Sequence, residues 1–298
     1  MEKQSNVSAG NRARAYVDLM KLRVVELLLV TTLPALVLAQ EGIPSTTITF
    51  ATLIGGTLAA GSANAFNMVI EADSDKLMKR TSNRPLATGI IGKNEAAIFA
   101  STVGVIALLI FQIFTTSLAT LLAAIAIAFY VIIYTVALKR RTPQNIVWGG
   151  AAGCMPALIG WAAVTNSLSL TPWLFFLVIF FWTPPHFWAL AIKYKDDYAA
   201  AGIPMLPVTA TKSSLLKQIW IYTIAMIASS VALFISADLQ FWAMALNLVL
   251  GILFAFQLRG LNEKSENYEK VATRVFHWSI TYLSLFSVLL VAAQLLKA

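Results

Sequence analysis

The 298 residues are 58% hydrophobic and 12% charged, with a mean hydropathy of +0.74, whereas soluble domains are roughly 45–50% apolar. This excludes a soluble fold and predicts an all-α, polytopic membrane protein. The single cysteine, Cys154, excludes an internal disulfide and a multi-cysteine metal site and reads as a packing residue. A net charge of +8 does not point to nucleic acid, because the bases lie in short loops rather than on one face; they suit the anionic surface of the lipid bilayer.

Residues 1–23 read as a charged cytoplasmic segment with five bases and the acids Glu2 and Asp18. This composition suits neither a cleaved signal peptide nor an organelle transit peptide and favours a bacterial plasma (inner) membrane. Apolar stretches of about the length that crosses a ~30 Å hydrocarbon core follow at 24–39, 48–70, 96–115, 118–138, 146–164, 172–192, 219–235, 241–258 and 275–296. Residues 24–298 are therefore read as one domain of nine transmembrane helices. Of the 22 Lys and Arg residues, 21 precede the first span or follow an even-numbered one, and only Lys297 lies elsewhere. Basic residues stay cytoplasmic, so the N-terminus is expected inside and the C-terminus outside.

Glu26 lies one turn into the first span, where an ionisable residue either faces a cavity or snorkels to the interface. The second span ends in the most informative stretch. On a helix Asn67, Glu71 and Asp75 fall at i, i+4 and i+8 on one face of about two turns, with Asp73 pointing away. Their oxygens suit a hard cation such as Mg²⁺, which is usually held by one or two carboxylates plus substrate phosphates. Lys79, Arg80 and Arg84, just downstream, can hold diphosphate oxygens directly.

The loop after the fourth span runs from Tyr134 through Lys139, Arg140 and Arg141; alone, it would read as a topogenic charge run. Gly149, Gly150 and Gly153 then permit close helix approach. Late in the sixth span, His186 sits among Trp182, Phe187 and Trp188 beside Pro184 and Pro185, which disturb a helix. A broken helix there would line a cavity; otherwise the ring would bond to a carbonyl that the prolines free. His277 reads as an interfacial anchor. The next loop carries Asp196 and Asp197 and is rich in proline, glycine and apolar residues. Two acidic loops separated by a basic one outline a pocket for a metal diphosphate, and their spacing suggests a weak four-span repeat.

At these residues the chain resembles the UbiA superfamily of intramembrane prenyltransferases. Asn67-x-x-x-Glu71-x-x-x-Asp75, with Lys79-Arg80-Thr81-x-Asn83-Arg84-Pro85, is similar to the superfamily's first acidic motif, although Glu71 often stands as Asp there. The second motif usually has two acids four apart, whereas this chain has adjacent Asp196-Asp197. Together with Pro184-Pro185-His186-Phe187-Trp188 and the run from Tyr198 to Pro207, that departure resembles the heme-modifying branch.

The resemblance implies transfer of the farnesyl group of farnesyl diphosphate to the 2-vinyl group of heme b. It implies Mg²⁺ held by Asn67, Glu71 and Asp75 with Asp196 or Asp197 opposite, and diphosphate held by Lys79, Arg80, Arg84, Lys139 and Arg140. It also implies a heme and prenyl region around Glu26, Tyr134, His186, Phe187 and Trp188, and leaves room for a heme a synthase or a terminal oxidase as an assembly partner. Prenylation of a quinone precursor, a polytopic transporter and a heme-assembly factor remain as alternatives. A transporter should hold its acids near mid-membrane rather than at one face.

Overall fold

Side-chain oxygens mark where three of the helices begin. The hydroxyls of Ser45, Thr116 and Thr211 accept from the backbone N–H of Ile48, Ala119 and Ser214, satisfying donors that a helix start leaves unpaired. The structure, a computed structural model, describes residues 9–262 and 267–297, without the side chains of residues 9, 23 and 24. In chain order the helices are α1 (Ala9–Met20), α2 (Leu22–Gln40), α3 (Thr46–Asp75), α4 (Lys93–Phe114) and α5 (Ser117–Ala128), which continues as a π-helix over Phe129–Leu138. Then come α6 (Asn145–Thr165), α7 (Leu170–Lys193), the short α8 (Lys195–Ala200) and α9 (Leu206–Thr209), α10 (Lys212–Ser236), α11 (Phe241–Leu258) and α12 (Tyr268–Leu295).

Among the described residues eight helices are long and apolar enough to cross a membrane, counting α5 with its π continuation as one. A ninth span is reached only when α1 and α2 are taken as a pair bent by 52°. Lys21, at the joint, takes the left-handed conformation (φ 51°). The chain is an integral membrane protein. Helix α1, before residue 24, packs on the bundle: its Ala15 and Leu19 are buried with Ala65, Met68 and Ala72 of α3.

Helix α7 runs through the middle of one half of the bundle, packed on α6, α10 and α12, with Phe175, Trp182 and Trp188 in the largest core cluster. The helix break expected at Pro184 and Pro185 does not occur, since α7 continues through both to Lys193. Proline's fixed φ is itself helical, so the ring removes hydrogen bonds without forcing a break, and α6, α10 and α12 pack around the helix. At one end of the bundle Met78, Ile146, Ala191, Tyr198, Ile203 and Met205 form a separate apolar cluster. It docks the loop after α3, the start of α6 and the α8–α9 loop on one another, which explains why that last loop is so apolar.

Candidate active site

The spacing of Asn67, Glu71 and Asp75 becomes one buried face of α3, with exposures of 2%, 4% and 1%. A base meets each of them. Lys21 Nζ donates to Asn67 Oδ1 at 2.8 Å, Lys139 Nζ lies 2.5 Å from Glu71 Oε1, and Arg84 Nη1 reaches both Asp75 oxygens at 2.8 and 2.7 Å. These bases come from the α1–α2 joint, the turn after the π-helix and the loop after α3. Three bases face two carboxylates, a formal surplus of one positive charge, and burial pushes the Lys21 ammonium well below its ordinary lysine value. Burial pushes the Lys139 ammonium below its ordinary lysine value, against the pull of Glu71.

The π-helix positions the second wall. Thr135 Oγ1 donates to Tyr130 O at 2.9 Å and accepts from Asn67 Nδ2 at 3.3 Å. Lys139 N bonds to Tyr134 O, five residues back, so the wider turn continues to the residue that pairs with Glu71; π-turns recur at functional sites. The glycines of α6 make room for this wall. A Cβ on Gly149 would stand 2.0 Å from the Tyr134 ring and one on Gly150 2.7 Å from Thr183 Cγ2, whereas Gly153 has nothing within 4 Å.

The other bases divide. Arg80 Nη2 approaches the Tyr198 hydroxyl at 3.5 Å, and its guanidinium lies 5.7 and 5.8 Å from the Tyr194 and Tyr198 ring centroids, tying the first acidic loop to the second. Lys79 and Arg140 are exposed. Asp73 is exposed on the far face with Lys93 and Lys76. Asp196 is exposed and Asp197 half-buried, and Asp196 lines a different pocket. Among the described residues no three His, Cys, Asp or Glu side chains converge as a metal set, so the second acidic pair is not gathered with Glu71 and Asp75.

Helix α7 supplies the aromatic group. The His186 ring lies between Trp182 and Phe276, with centroids 4.2 and 4.7 Å away, and Phe187 stands edge-on at 5.0 Å. His186 Nδ1 is 2.7 Å from Ser279 Oγ, whose own proton goes to Phe276 O; Nδ1 is therefore the donor. The histidine thus bonds across to α12 rather than to a carbonyl freed by the prolines. Trp188 is fully buried in the core, Tyr134 lies beside Lys139, and Glu26 and His277 are exposed on α2 and α12.

Two residues of the site were not singled out in the sequence. Lys21 looked like one leader base among five, and only its place at the edge of the first span sets it apart. Asn145 is fully buried; its Nδ2 holds Lys139 O at 3.1 Å and its Oδ1 has no partner. The donor set fits Mg²⁺, since two carboxylates and an amide oxygen are hard ligands and leave positions open for phosphate oxygens.

The match to the family model described as "UbiA prenyltransferase family" spans residues 28–280. The chain belongs to this family. Among curated UbiA relatives, the protoheme IX farnesyltransferase of Parafrankia sp. is 48% identical, aligned over 97% of this chain and 92% of its own. That of Frankia alni is 49% identical over 93% and 96%, and that of Streptomyces avermitilis 45% over 94% and 93%. The fold is shared with a digeranylgeranylglyceryl phosphate synthase (TM-score 0.78, 16% identity, 95% of this chain and 99% of that one). It is also shared with an Archaeoglobus fulgidus UbiA homolog bound to GPP and Mg²⁺ (TM-score 0.68, 16% identity, 93% and 99%).

Proposed function

We propose that the protein transfers the farnesyl group of farnesyl diphosphate to the 2-vinyl group of protoheme IX, giving heme o and diphosphate. The observation that carries this reading is the buried face of α3, where Asn67, Glu71 and Asp75 stand against Lys21, Lys139 and Arg84 with a formal surplus of one positive charge. Such a site suits a polyanion better than a neutral solute. Near-full-length similarity to protoheme IX farnesyltransferases supports the acceptor.

In this reading Asn67, Glu71 and Asp75 hold Mg²⁺, with Asp196 or Asp197 approaching when substrate brings the loops together. The ion supplies charge neutralisation for the leaving diphosphate. Lys139, Arg84 and Arg80, with Lys79 and Arg140 at the exposed margin, hold the diphosphate oxygens and stabilise charge as the C1–O bond of the farnesyl group breaks. The vinyl carbon forms the new bond to C1, water adds to the neighbouring carbon, and the proton lost from that water leaves a hydroxyl. Tyr134 and Phe187 offer aromatic faces near the allylic cation, whereas Trp188, enclosed in the core, does not face it; His186 and Glu26 belong to the heme side.

Membranes given Mg²⁺ and farnesyl diphosphate should release diphosphate only when heme is added. Release that ignores heme would point instead to another acceptor. We place the protein in a bacterial inner membrane with the site on the cytoplasmic side, as the distribution of Lys and Arg supports. A cysteine at Ser45 should then react with an impermeant thiol reagent from outside and one at Ser82 should not, the buried Cys154 staying silent; the reverse pattern inverts the topology.

A further inference from the structure

A second pocket, of about 490 Å³, opens at the same end of the bundle but on another face of α7. Ala191 packs toward Met78 and Ile146, while the following Ile192 and Lys193 line this pocket. Four lysines border it: Lys193 and Lys195 at the α7–α8 junction, Lys212 in the first turn of α10 and Lys270 in the first turn of α12. Two carboxylates, Asp196 and Glu269, also line it, so its charged side chains sum to +2. Among the described residues none of these lysines is in a salt bridge.

The backbone adds to this charge. Helices α10 and α12 are 25 and 28 residues long, and both begin at the pocket, where the positive ends of their dipoles favour an anion. Ile192, Leu215 and Pro207 give the pocket an apolar side, and the Lys212 ammonium lies 4.7 Å over the Tyr268 ring. A compact anion with an apolar attachment matches this combination.

We propose that this pocket binds the phosphate group of an acidic phospholipid headgroup. Its lysines follow even-numbered spans, on the side where the distribution of bases puts the cytoplasmic membrane surface, and acidic lipid is the anion that arrives there already joined to an apolar tail. A soluble phosphate shares the charge but would leave the apolar side unused. The pocket shares no base with the Lys21, Arg84 and Lys139 cluster, but it shares Asp196 with the metal role proposed above; lipid retention, which needs no turnover, is therefore the readout that separates the two.

The test uses the full chain in nanodiscs of equal phosphatidylcholine and phosphatidylglycerol, with retained lipid counted by native mass spectrometry. The wild type should keep one phosphatidylglycerol in preference to phosphatidylcholine, and Lys212→Gln/Lys270→Gln should reduce that preference roughly tenfold or more. Glu269→Gln, which removes an opposing charge, should strengthen it, and this variant decides the matter if the double variant folds poorly. Equal retention in all three proteins would overturn the proposal. So would millimolar inorganic phosphate stripping the lipid, which would assign the pocket to a soluble anion.

Discussion

Lys139 Nζ lies 2.5 Å from Glu71 Oε1, and the two side chains are only 14% and 5% exposed. A base from the turn after the π-helix thus neutralises an acid of α3 where water cannot. Removing one member of a buried pair strands the other and costs about 3–5 kcal/mol, whereas removing both can be nearly neutral. Lys139→Met should therefore lower the thermal midpoint sharply. Glu71→Gln/Lys139→Met should recover most of that stability without turnover. A double variant as unstable as the single would show that Lys139 matters to the fold through something other than Glu71.

How far the sequence carried depended on the range of each interaction. The face holding Asn67, Glu71 and Asp75 was legible because a helix sets it by spacing alone. The closeness implied by Gly149 and Gly150 could be read, but not that Tyr134 and Thr183 would fill the space. Which base meets which acid was not legible, because Lys21 and Lys139 reach α3 from 46 and 68 residues away. Pro184 and Pro185 misled for the opposite reason. They change local hydrogen bonding, but the packing of α7 among α6, α10 and α12 decides whether the helix continues.

Lys21 is the base that spacing did not single out. Its Nζ donates to Asn67 Oδ1, and it accounts for the formal surplus of the cluster. Lys21→Met should weaken farnesyl diphosphate binding on the order of tenfold or more, as loss of a charge-assisted contact implies, with Lys21→Arg intermediate. Displacement of a labelled diphosphate analogue measures this. Unchanged affinity in folded Lys21→Met would leave the lysine a purely structural role.

Gly149 and Gly153 form a controlled comparison on one helix. A methyl on Gly149 must displace the Tyr134 ring, 2.0 Å away, while one on Gly153 meets nothing within 4 Å. Overpacking of this kind costs typically 1–3 kcal/mol. Gly149→Ala should lower both the thermal midpoint and turnover, since Tyr134 lies beside Lys139. Gly153→Ala should match the wild type or be slightly more stable, because alanine favours helix over glycine. Equal behaviour of the two variants would contradict the close approach of α6 to the π-helix.

His186 joins α7 to α12 through Ser279 while its ring is clamped by Trp182 and Phe276. His186→Phe keeps a ring in the clamp but removes the donor to Ser279, which should cost about 1–3 kcal/mol for a buried group left unpaired. If the ring acts only in this way, the heme spectrum and affinity of the folded variant stay at wild-type values. A shifted spectrum or weakened heme binding, with farnesyl diphosphate binding intact, would place the imidazole on the heme itself.

Metal removal tests the pairing of both α3 carboxylates. A site built from unpaired acids would repel itself when its cation was withdrawn and lose stability. Here Glu71 already has Lys139 and Asp75 already has Arg84, so each carboxylate keeps its partner without Mg²⁺. Chelation should abolish turnover while leaving the thermal midpoint nearly unchanged. Asp75→Ala should lose turnover on the order of 10²-fold or more even at saturating Mg²⁺, and should be less stable because Arg84 loses its partner. Glu71→Asp should be milder in activity, since it keeps a carboxylate on the same face. Near-normal turnover by Asp75→Ala, or a large fall in midpoint on chelation of the wild type, would remove α3 from the role assigned to it.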